Sequence, residues 1–315
     1  MNPSKLLIFG SGFISKGIIR EARYNNYLIK LLYNSHKVEG CPDLDQRSIA
    51  EVDVLSLMRD FRPDFIVCLQ GNSFVPDNKN LRSSIDTNVI IPLSALEIIL
   101  EYVKEGNSIK KIVMAGSAAE YGRSYHEPIS EEFPLHPASI YGLTKIFLYN
   151  MSIYYKEKGL PIVYARQFNC TGPEQRDSFL LPSLCRQIAR IEALKAEPCI
   201  SIGDLTQERD FIDIRDASRA YLILLENGCP GEVYNIGSGV ARSVQQVLDE
   251  VLKASFLSEK GVEMRINKSL LFKEQSFSNR IQADIRKLCQ LGFLPKMSFK
   301  QTVSDTLSYW RSHAI

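Results

Sequence analysis

Strand-like and helix-like stretches alternate through the first half of this chain, and this alternation restricts its fold more than any other feature. Short runs rich in apolar and β-branched residues lie at Lys5–Phe9, Tyr27–Tyr33, Phe65–Gln70, Lys111–Ala115 and Pro161–Arg166. The stretches between them carry apolar residues three and four positions apart, as amphipathic helices do. Repeated βαβ units place their strands in one parallel sheet with helices on both faces. The sequence therefore predicts a doubly wound α/β fold.

The chain changes character after Arg166, where prolines and glycines interrupt the alternation and one further clear strand, Glu232–Ile236, is visible. We predict a first domain at residues 1–166 and a second, smaller α/β lobe at residues 167–315. This lobe is expected to lean over the carboxyl ends of the sheet, with some of its segments returning to the first domain. The helix-like stretches predicted in the first domain are Val54–Phe61, Leu93–Val103 and Ile140–Lys158.

Composition excludes several classes of protein. With 45% hydrophobic and 23% charged residues, the 315-residue chain is neither disordered nor fibrous. A net charge of +2 gives no basic field for nucleic acid. No run approaches the roughly 18 apolar residues of a membrane span, and no signal peptide precedes the first strand. The seven cysteines are scattered without a CxxC pair, which favours free thiols over disulfides or a metal site. We expect a soluble cytoplasmic protein that binds no metal, nucleic acid or membrane.

A glycine loop follows the first strand and opens a helix. Gly10 would allow the tight turn, and Gly12 would let the backbone approach a phosphate at the positive end of the helix. Ser15 stands where such dinucleotide loops have a third glycine. A glycine turn between strand and helix also occurs without any ligand. Its position directly after the first strand favours a dinucleotide site.

The residues after the second strand bear on which dinucleotide binds. A carboxylate at this position would bind the adenosine ribose of NAD, whereas basic or small polar residues suit the 2′-phosphate of NADP. The sequence has Asn34, Ser35, His36 and Lys37 there, and no acid. This favours NADP(H), with NAD(H) possible, although Lys37 could equally be a solvated loop charge.

A tyrosine and a lysine with catalytic potential lie one helical turn apart. Tyr141 and Lys145 share one face of a predicted helix, where a lysine ammonium would lower the tyrosine pKa from about 10. Only this pair follows a strand that ends in a small polar run, Gly116–Gly122, in which the Ser117 hydroxyl could polarise the same substrate oxygen. Two other pairs have the same spacing, Tyr33 with Lys37 and Tyr154 with Lys158.

Together, several motifs resemble one enzyme family. They are Gly10 with Gly12, Ser117, Tyr141-xxx-Lys145 and Phe168-Asn169-Cys-Thr-Gly172-Pro173. This set is similar to the extended short-chain dehydrogenases/reductases, the NAD(P)-dependent epimerases, dehydratases and reductases of nucleotide sugars. Within the family, the GDP-6-deoxy-4-keto-mannose reductases are most similar, on motifs spread over nearly the whole chain. These are Ser117-Ala-Ala-Glu-Tyr-Gly122, Arg186-Gln-Ile-Ala-Arg-Ile-Glu192, Ile202-Gly-Asp-Leu205, Arg209-Asp-Phe-Ile-Asp-Ile-Arg-Asp216, Gly231-Glu-Val-Tyr-Asn-Ile-Gly-Ser-Gly239 and Tyr309-Trp-Arg311.

The resemblance implies a Rossmann fold, a homodimer and roles for individual residues. Ser117, Tyr141 and Lys145 would form the catalytic triad, while Asn169 and Arg209 would contact the diphosphate of a nucleotide-linked deoxysugar. An amide and a guanidinium are suitable phosphate ligands, although Asn169 could be a turn residue and Arg209 a surface charge. Arg176, Arg186 and Lys273 are the alternative cations. Besides Gly10, Gly12, Asn34, Lys37, Tyr141 and Lys145, the cofactor contacts are expected at Phe13, Ile14, Asp53, Leu69, Gln70, Gly71 and Asn88.

The sequence departs from the family pattern at three places. The glycine loop is one residue shorter than usual and has Ser15 at its last glycine. The region before Asp284, where the family has an Arg-Pro that helps bind the substrate, reads Phe272-Lys-Glu-Gln275. Ala118 and Ala119 follow Ser117 where dehydratases carry an acid pair. The last departure disfavours 4,6-dehydration.

The predicted reaction is therefore reduction of the C4 ketone of an NDP-4-keto-6-deoxyhexose with NAD(P)H. GDP is the favoured nucleotide carrier and dTDP the second. A 4-epimerase with tightly held NAD is one alternative, because the same triad serves both reactions. A dinucleotide-binding protein without turnover is the other, suggested by the irregular glycine loop.

Overall fold

The computed structural model describes residues 3–71, 81–122, 128–257, 262–267 and 279–313. In chain order, its strands are β1 (Lys5–Phe9), β2 (Leu28–Tyr33), β3 (Asp45–Ser48), β4 (Phe65–Cys68), β5 (Lys111–Ser117), β6 (Ile162–Gln167), β7 (Asn169–Thr171), β8 (Cys199–Ile202), β9 (Glu208–Asp213), β10 (Val233–Ile236), β11 (Ala241–Ser243), β12 (Glu263–Ile266) and β13 (Arg280–Ile281). Seven of these strands form one sheet, in the order β10-β6-β5-β4-β1-β2-β3, with every neighbouring pair parallel.

Helices alternate with the strands and cover both faces of the main sheet. In chain order, the helices are α1 (Phe13–Tyr24), α2 (Val54–Phe61), α3 (Leu81–Ile85), α4 (Ile91–Lys104), α5 (Ile140–Glu157), α6 (Leu180–Glu192), α7 (Ile214–Asn227), α8 (Val244–Ala254), α9 (Arg286–Cys289) and α10 (Phe299–His313). A π-helical turn, Asp86–Ile90, joins α3 to α4, and a 3₁₀ turn, Ala118–Glu120, follows β5. The predicted doubly wound Rossmann-type α/β fold is confirmed.

The sheet separates two hydrophobic cores. One core packs α1 and α7 against the sheet, and the other packs α2, α4 and α5 against the opposite face. Because the strands are buried on both faces, they read as continuous apolar runs rather than as alternating ones. The strand order reverses between β1 and β4. In such sheets, ligands bind in the crevice outside the carboxyl ends of the strands at this switch point.

The strand predicted after Arg166, Glu232–Ile236, is present as β10, Val233–Ile236, but other strands of this half were not predicted. The second half also contains β7, β8, β9, β11, β12 and β13. Most of these strands are two to four residues long and partly or fully exposed, so they lack the continuous apolar run that marks a central strand. In the first half, β3 was missed for the same reason, because its four residues, Asp45–Ser48, are all polar and form no apolar run.

The second half builds a smaller unit and also returns to the main sheet. β11, β9, β13 and β7 form one small sheet and β8 pairs with β12, while α6, α8 and α10 enclose a separate core. By contrast, β10 pairs with β6 in the main sheet, and α7 packs on its face. The domain boundary at residue 166 stays a prediction. All seven cysteines are free thiols.

One helical segment of the described chain, Leu81–Lys104, is long enough and apolar enough to cross a membrane, judged by length and composition alone. Ala95, Leu96, Ile99 and Leu100 of its α4 portion are buried against the sheet. These contacts are those of a core helix in a globular domain.

Candidate functional site

The glycine loop brings the end of β1 against the end of β4. Gly10 has a φ of +105°, in the region that favours glycine. A Cβ at Gly10 would lie 3.1 Å from both the main-chain nitrogen of Gln70 and the carbonyl carbon of Leu69. No described atom comes within 4 Å of the position that a Cβ on Gly12 would take. The helix α1 begins immediately afterwards, so the amides of Phe13 and Ile14 lie at its positive N-terminal end.

Ser15 closes the loop where a third glycine is usual. Its side chain is fully buried, and its hydroxyl donates to the Gly10 carbonyl at 2.7 Å. The same oxygen accepts the N–H of Gly12 at 3.1 Å. The serine therefore stabilises the short loop from inside.

A buried amide without a partner lies beside this loop. The Gln70 side chain is 4% exposed, and within the described residues neither its oxygen nor its nitrogen has a hydrogen-bond partner. A Cβ on the next residue, Gly71, would lie 3.1 Å from Asn88 Oδ1 and 3.2 Å from Lys145 Nζ. Asn88 in turn donates to the Thr144 hydroxyl at 3.3 Å. An open glycine turn next to an unsatisfied buried amide and an ammonium fits a nicotinamide dinucleotide.

The residues predicted to choose between NAD and NADP lie on the surface. Asn34 and Lys37 are exposed in the loop after β2, and the Ser11 hydroxyl donates to the His36 carbonyl. This contact joins the loop after β2 to the glycine loop.

Asp53, another predicted cofactor contact, is the N-cap of α2. Its Oδ1 accepts the Ser56 N–H at 3.1 Å, and its Oδ2 accepts the Ser56 hydroxyl at 2.7 Å. The cofactor contacts of Asn34, Lys37 and Asp53 stay predictions.

Three polar side chains converge at the carboxyl end of β5. Ser117 ends β5, and its hydroxyl forms a hydrogen bond with the phenol of Tyr141 in the first turn of α5. Ser139 caps that turn by accepting the N–H of Gly142 at 3.0 Å. Lys145 Nζ donates to the Ala115 carbonyl at 2.9 Å and lies 5.9 Å from the centre of the Tyr141 ring. The structure thus places the predicted triad in one cluster, while Tyr154 of the competing pair is 52% exposed.

The expected effect of Lys145 on Tyr141 is wrong. Burial raises the pKa of Tyr141 to about 12, and the hydrogen bond with Ser117 only partly opposes this shift. The lysine does not offset the burial, because its ammonium is directed to the Ala115 carbonyl rather than to the phenol. At neutral pH the phenol is therefore protonated, which is the form that a general acid requires.

Lys145 is itself strongly affected by burial. Its side chain is 4% exposed, and burial lowers its pKa to about 8, against an opposing effect of the Glu120 carboxylate. The ammonium is thus present at neutral pH and is lost at moderately alkaline pH.

Sequence reasoning missed a buried ion pair below the triad. Glu120 and Arg166 are both buried, and Arg166 Nε lies 2.8 Å from Glu120 Oε2. An acid in the turn after Ser117 and an arginine inside the apolar run of β6 were the available signals. Neither signal indicates by itself that the two side chains meet.

The predicted substrate ligands lie in the second half of the chain. Asn169 is exposed at the start of β7 and donates to the Asp210 carbonyl at 3.3 Å. Arg209 of β9 donates to the carbonyls of Glu208 and Asn279 and to Gln207 Oε1. Among the alternative cations, Arg176 is exposed, and Arg186 pairs with Asp177. Lys273 and the run Phe272–Gln275 lie outside the described residues. The diphosphate contacts stay predictions.

Comparison with known proteins agrees with this geometry. The sequence model of the family described as GDP-mannose 4,6 dehydratase matches residues 6–306. The GDP-6-deoxy-D-mannose reductase of Pseudomonas aeruginosa is 30% identical over 254 residues, which cover 79% of this chain and 81% of that enzyme. The structure of RMD from Pseudomonas aeruginosa complexed with NADPH superposes with a TM-score of 0.81 at 25% identity, covering 98% and 99% of the two chains. The UDP-glucose 4-epimerase of Thermus thermophilus, in complex with NAD, has the same fold, with a TM-score of 0.81 at 22% identity and the same coverage.

Proposed function

Since the chain belongs to the GDP-mannose 4,6 dehydratase family of extended short-chain dehydrogenases/reductases, we propose that it reduces the C4 ketone of an NDP-4-keto-6-deoxyhexose. The family resemblance and the NAD(P)-dependent oxidoreductase activity on nucleotide sugars, both predicted from the sequence, are confirmed. Reduction at C4 is the finer assignment proposed here.

The protonated, buried phenol of Tyr141 is the observation that carries the proposal. A ketone that accepts a hydride needs a proton donor at its oxygen, whereas oxidation of an alcohol needs a base at the same position. Tyr141 has a pKa of about 12 and is hydrogen-bonded to Ser117, so it is suited to donate. An epimerase removes the C4 hydroxyl proton and then returns it, so the same phenol would serve that reaction, and the consumption of NADPH separates the two.

Each residue of the triad has a distinct task. When bound, the reduced nicotinamide supplies the hydride. Tyr141 donates its proton to the C4 oxygen as negative charge develops there, and the Ser117 hydroxyl donates a hydrogen bond to the same oxygen. Lys145 keeps its ammonium on the Ala115 carbonyl and beside Gly71, where it would hold the ribose of the cofactor next to Tyr141. The cofactor would be held by the Gly10 to Ile14 turn, Gln70, Gly71, Asn88 and Lys145.

The turn after Ser117 supports reduction over dehydration. Ala118 and Ala119 offer no acid or base for the elimination of water. Glu120 is the next residue, but its carboxylate is buried and paired with Arg166. It is therefore tied into the protein core rather than presented to a substrate.

NADPH is the proposed cofactor. Asn34, His36 and Lys37 place no acid after β2, which leaves room for a 2′-phosphate. The Pseudomonas RMD was solved with NADPH, which supports the same preference. GDP is the proposed nucleotide carrier and dTDP the second choice, because the relative with 30% identity is named for a GDP-sugar.

We also propose that the protein is a cytoplasmic homodimer. One side of α5 exposes Leu143, Phe147 and Tyr154, at 57%, 47% and 52% of their surfaces. These residues recur at helical spacing and form an apolar stripe. Ile85 and Ile90, from the segment that precedes α4, are exposed as well. A second copy of the chain would remove this surface from water.

Incubation of the purified protein with 4-keto-6-deoxy sugar nucleotides and NADPH tests the function. We expect oxidation of NADPH, followed by absorbance, with a GDP-linked substrate favoured over its dTDP-linked counterpart. Interconversion of C4 epimers without added NADPH, together with NAD retained through purification, would favour the epimerase instead. Stable dinucleotide binding without either turnover would favour the non-catalytic alternative.

A further inference from the structure

The carboxylate of Glu120 connects every element that carries the triad. Its Oε1 accepts the main-chain N–H of Ser117 at 2.8 Å and lies 3.0 Å from the Tyr164 hydroxyl of β6. That hydroxyl also lies 3.0 Å from the main-chain oxygen of Lys145. One buried carboxylate thus contacts the catalytic end of β5 directly and the backbone of α5 through Tyr164.

Arg166 holds the other side of this carboxylate. Its Nε donates to Glu120 Oε2 at 2.8 Å, and its Nη1 donates to the Glu131 carbonyl at 2.9 Å. The guanidinium packs between two rings, 4.7 Å from the centre of Tyr149 and 4.9 Å from that of Tyr121. Tyr149 belongs to α5 and Tyr121 follows the turn of Ser117, so the guanidinium also joins both triad elements.

The local packing leaves little space for any other arrangement. A Cβ on Gly116 would lie 2.3 Å from Tyr164 Cε1 and 2.6 Å from Glu120 Oε1. These neighbours can pack there only because Gly116 has no side chain. The Glu120 carboxylate therefore fixes the backbone on both sides of Ser117: it accepts the Ser117 N–H, and Glu120 itself belongs to the turn that follows. This fixed backbone determines the direction of the Ser117 hydroxyl.

We propose that Glu120 and Arg166 form a positioning pair, which fixes the Ser117 turn against α5 so that Ser117, Tyr141 and Lys145 meet at the substrate oxygen. This inference rests on the proposed function, because it concerns the same triad. Neither residue touches the reacting atoms; each acts through Ser117, Tyr164 and Lys145. A misplacement of about 1 Å in such a constellation can cost about a hundredfold in rate.

Stability alone is a weak reason to bury this pair. An ion pair taken out of water is often no more stabilising than well-packed apolar residues of similar volume, while loss of one partner is strongly destabilising. Burial raises the pKa of Glu120, and the charge of Arg166 together with the hydrogen bonds to the carboxylate opposes that rise. Apolar residues at these two positions could not supply the hydrogen bonds that connect the pair to the elements carrying the triad.

The test compares single and double variants. Glu120→Gln keeps an oxygen that can accept the Ser117 N–H but removes the charge, and Arg166→Met removes the opposite charge. The double variant Glu120→Gln/Arg166→Met leaves no unpaired charge. Glu192→Gln is the matched control, since the Glu192 side chain is 8% exposed and pairs with Arg311 at 2.7 Å beside the second-half core. Melting temperature, kcat, KM and the Kd for NADPH are measured for each.

Both single variants should melt at lower temperature than the wild type, and the double variant should recover most of that loss. The kcat of the double variant should nevertheless stay about 10- to 100-fold low, with KM and the NADPH Kd nearly unchanged. Glu192→Gln should lose stability without losing kcat. Recovery of kcat together with melting temperature in the double variant would show that the pair only supports the fold.

A milder comparison covers the case in which the charge variants do not fold. Tyr164→Phe removes the hydroxyl that joins Glu120 to Lys145, while Tyr155→Phe removes a buried hydroxyl that bonds Glu97 in the same core. Only Tyr164→Phe should lower kcat, and equal effects of the two would overturn the proposal.

The kcat of each variant is divided by the wild-type kcat, and both are measured in whichever C4 reaction the wild type performs. If the wild type epimerises but does not reduce, the proposed function fails while the positioning pair is still judged by the ratios. A wild type that reduces, with variants that retain full kcat, overturns the pair alone. No turnover in either reaction overturns both.

Discussion

The ammonium of Lys145 donates to the main-chain carbonyl of Ala115, 2.9 Å away, and so ties helix α5 to the strand that ends at Ser117. A lysine held in this way is buried and has lost most of its contact with water. Its charge is therefore sensitive to pH in a range where most lysines are fully protonated.

Activity should fall as the pH rises through about 8. Burial lowers the pKa of Lys145 from 10.5 to about 8, so the ammonium is present below that pH and absent above it. Because this ammonium would hold the cofactor ribose beside Tyr141, kcat/KM should decline on the alkaline side of this midpoint. Lys145→Met should leave a residual activity without this alkaline limb. A profile that stays flat to pH 10 would contradict the role given to Lys145.

Tyr141→Phe should reduce kcat by orders of magnitude with the fold intact. In the proposed reaction the phenol is the proton donor to the C4 oxygen, and phenylalanine would retain the packing of the ring. Tyr154→Phe is the matched control, because Tyr154 has the same spacing to a lysine but lies on the surface of α5. More than about a tenth of wild-type turnover in folded Tyr141→Phe, a loss below about 1.4 kcal/mol, would exclude Tyr141 as the acid.

Arg209→Ala should raise KM for the nucleotide sugar by about ten- to a hundredfold, since a charge-assisted hydrogen bond to phosphate contributes roughly 1.5–3 kcal/mol. NADPH affinity should change little, because the glycine loop lies at the end of β1 rather than on β9. Arg59→Ala is the control, because Arg59 of α2 pairs with Glu105 at the end of α4 and is not among the predicted diphosphate ligands. Equal weakening of both ligands would mean that Arg209 supports the fold, and unchanged sugar binding would assign the diphosphate to another cation.

Asn34→Asp should shift the cofactor preference from NADPH toward NADH. Asn34 is exposed at the end of β2, so the exchange should leave the core undisturbed. A carboxylate there would bind the ribose hydroxyls of NADH and repel the 2′-phosphate of NADPH. The ratio of kcat/KM for the two cofactors measures the shift. A wild-type preference for NADH would disprove the cofactor assignment and leave the reductase assignment standing.

Phe147→Glu should convert the proposed dimer into a monomer. The side chain lies in the middle of the exposed apolar stripe of α5, where a second copy would bury it. An unpaired charge in such an interface is costly. Light scattering measures the mass, and Tyr24→Glu serves as the control, because Tyr24 is 88% exposed at the end of α1. A monomeric wild type would contradict the dimer directly.

The elements of the first domain could be predicted closely because their signals are local. The helix Val54–Phe61 was predicted with its observed ends, and the five predicted strands of the first domain differ from the observed ones by at most two residues at either end. Continuous apolar runs and helical periodicity are set by neighbours in the chain, so they are visible without the fold. The short strands β7 and β11 lack such a signal, since they depend on pairing with the distant strand β9.

The sequence by itself determined the α/β class and the glycine turn and predicted the residues of the triad, because each follows from residue types at short spacing. Only the tertiary structure decided how these groups behave. Burial in α5 beside Ser117 raises the pKa of Tyr141, and Lys145 is directed to the Ala115 carbonyl rather than to the phenol. Glu120 and Arg166 are 46 residues apart in the chain and meet only because β5 and β6 are neighbouring strands. Burial and long-range contacts set the pKa of a group and its partners, and neither is encoded in any local pattern.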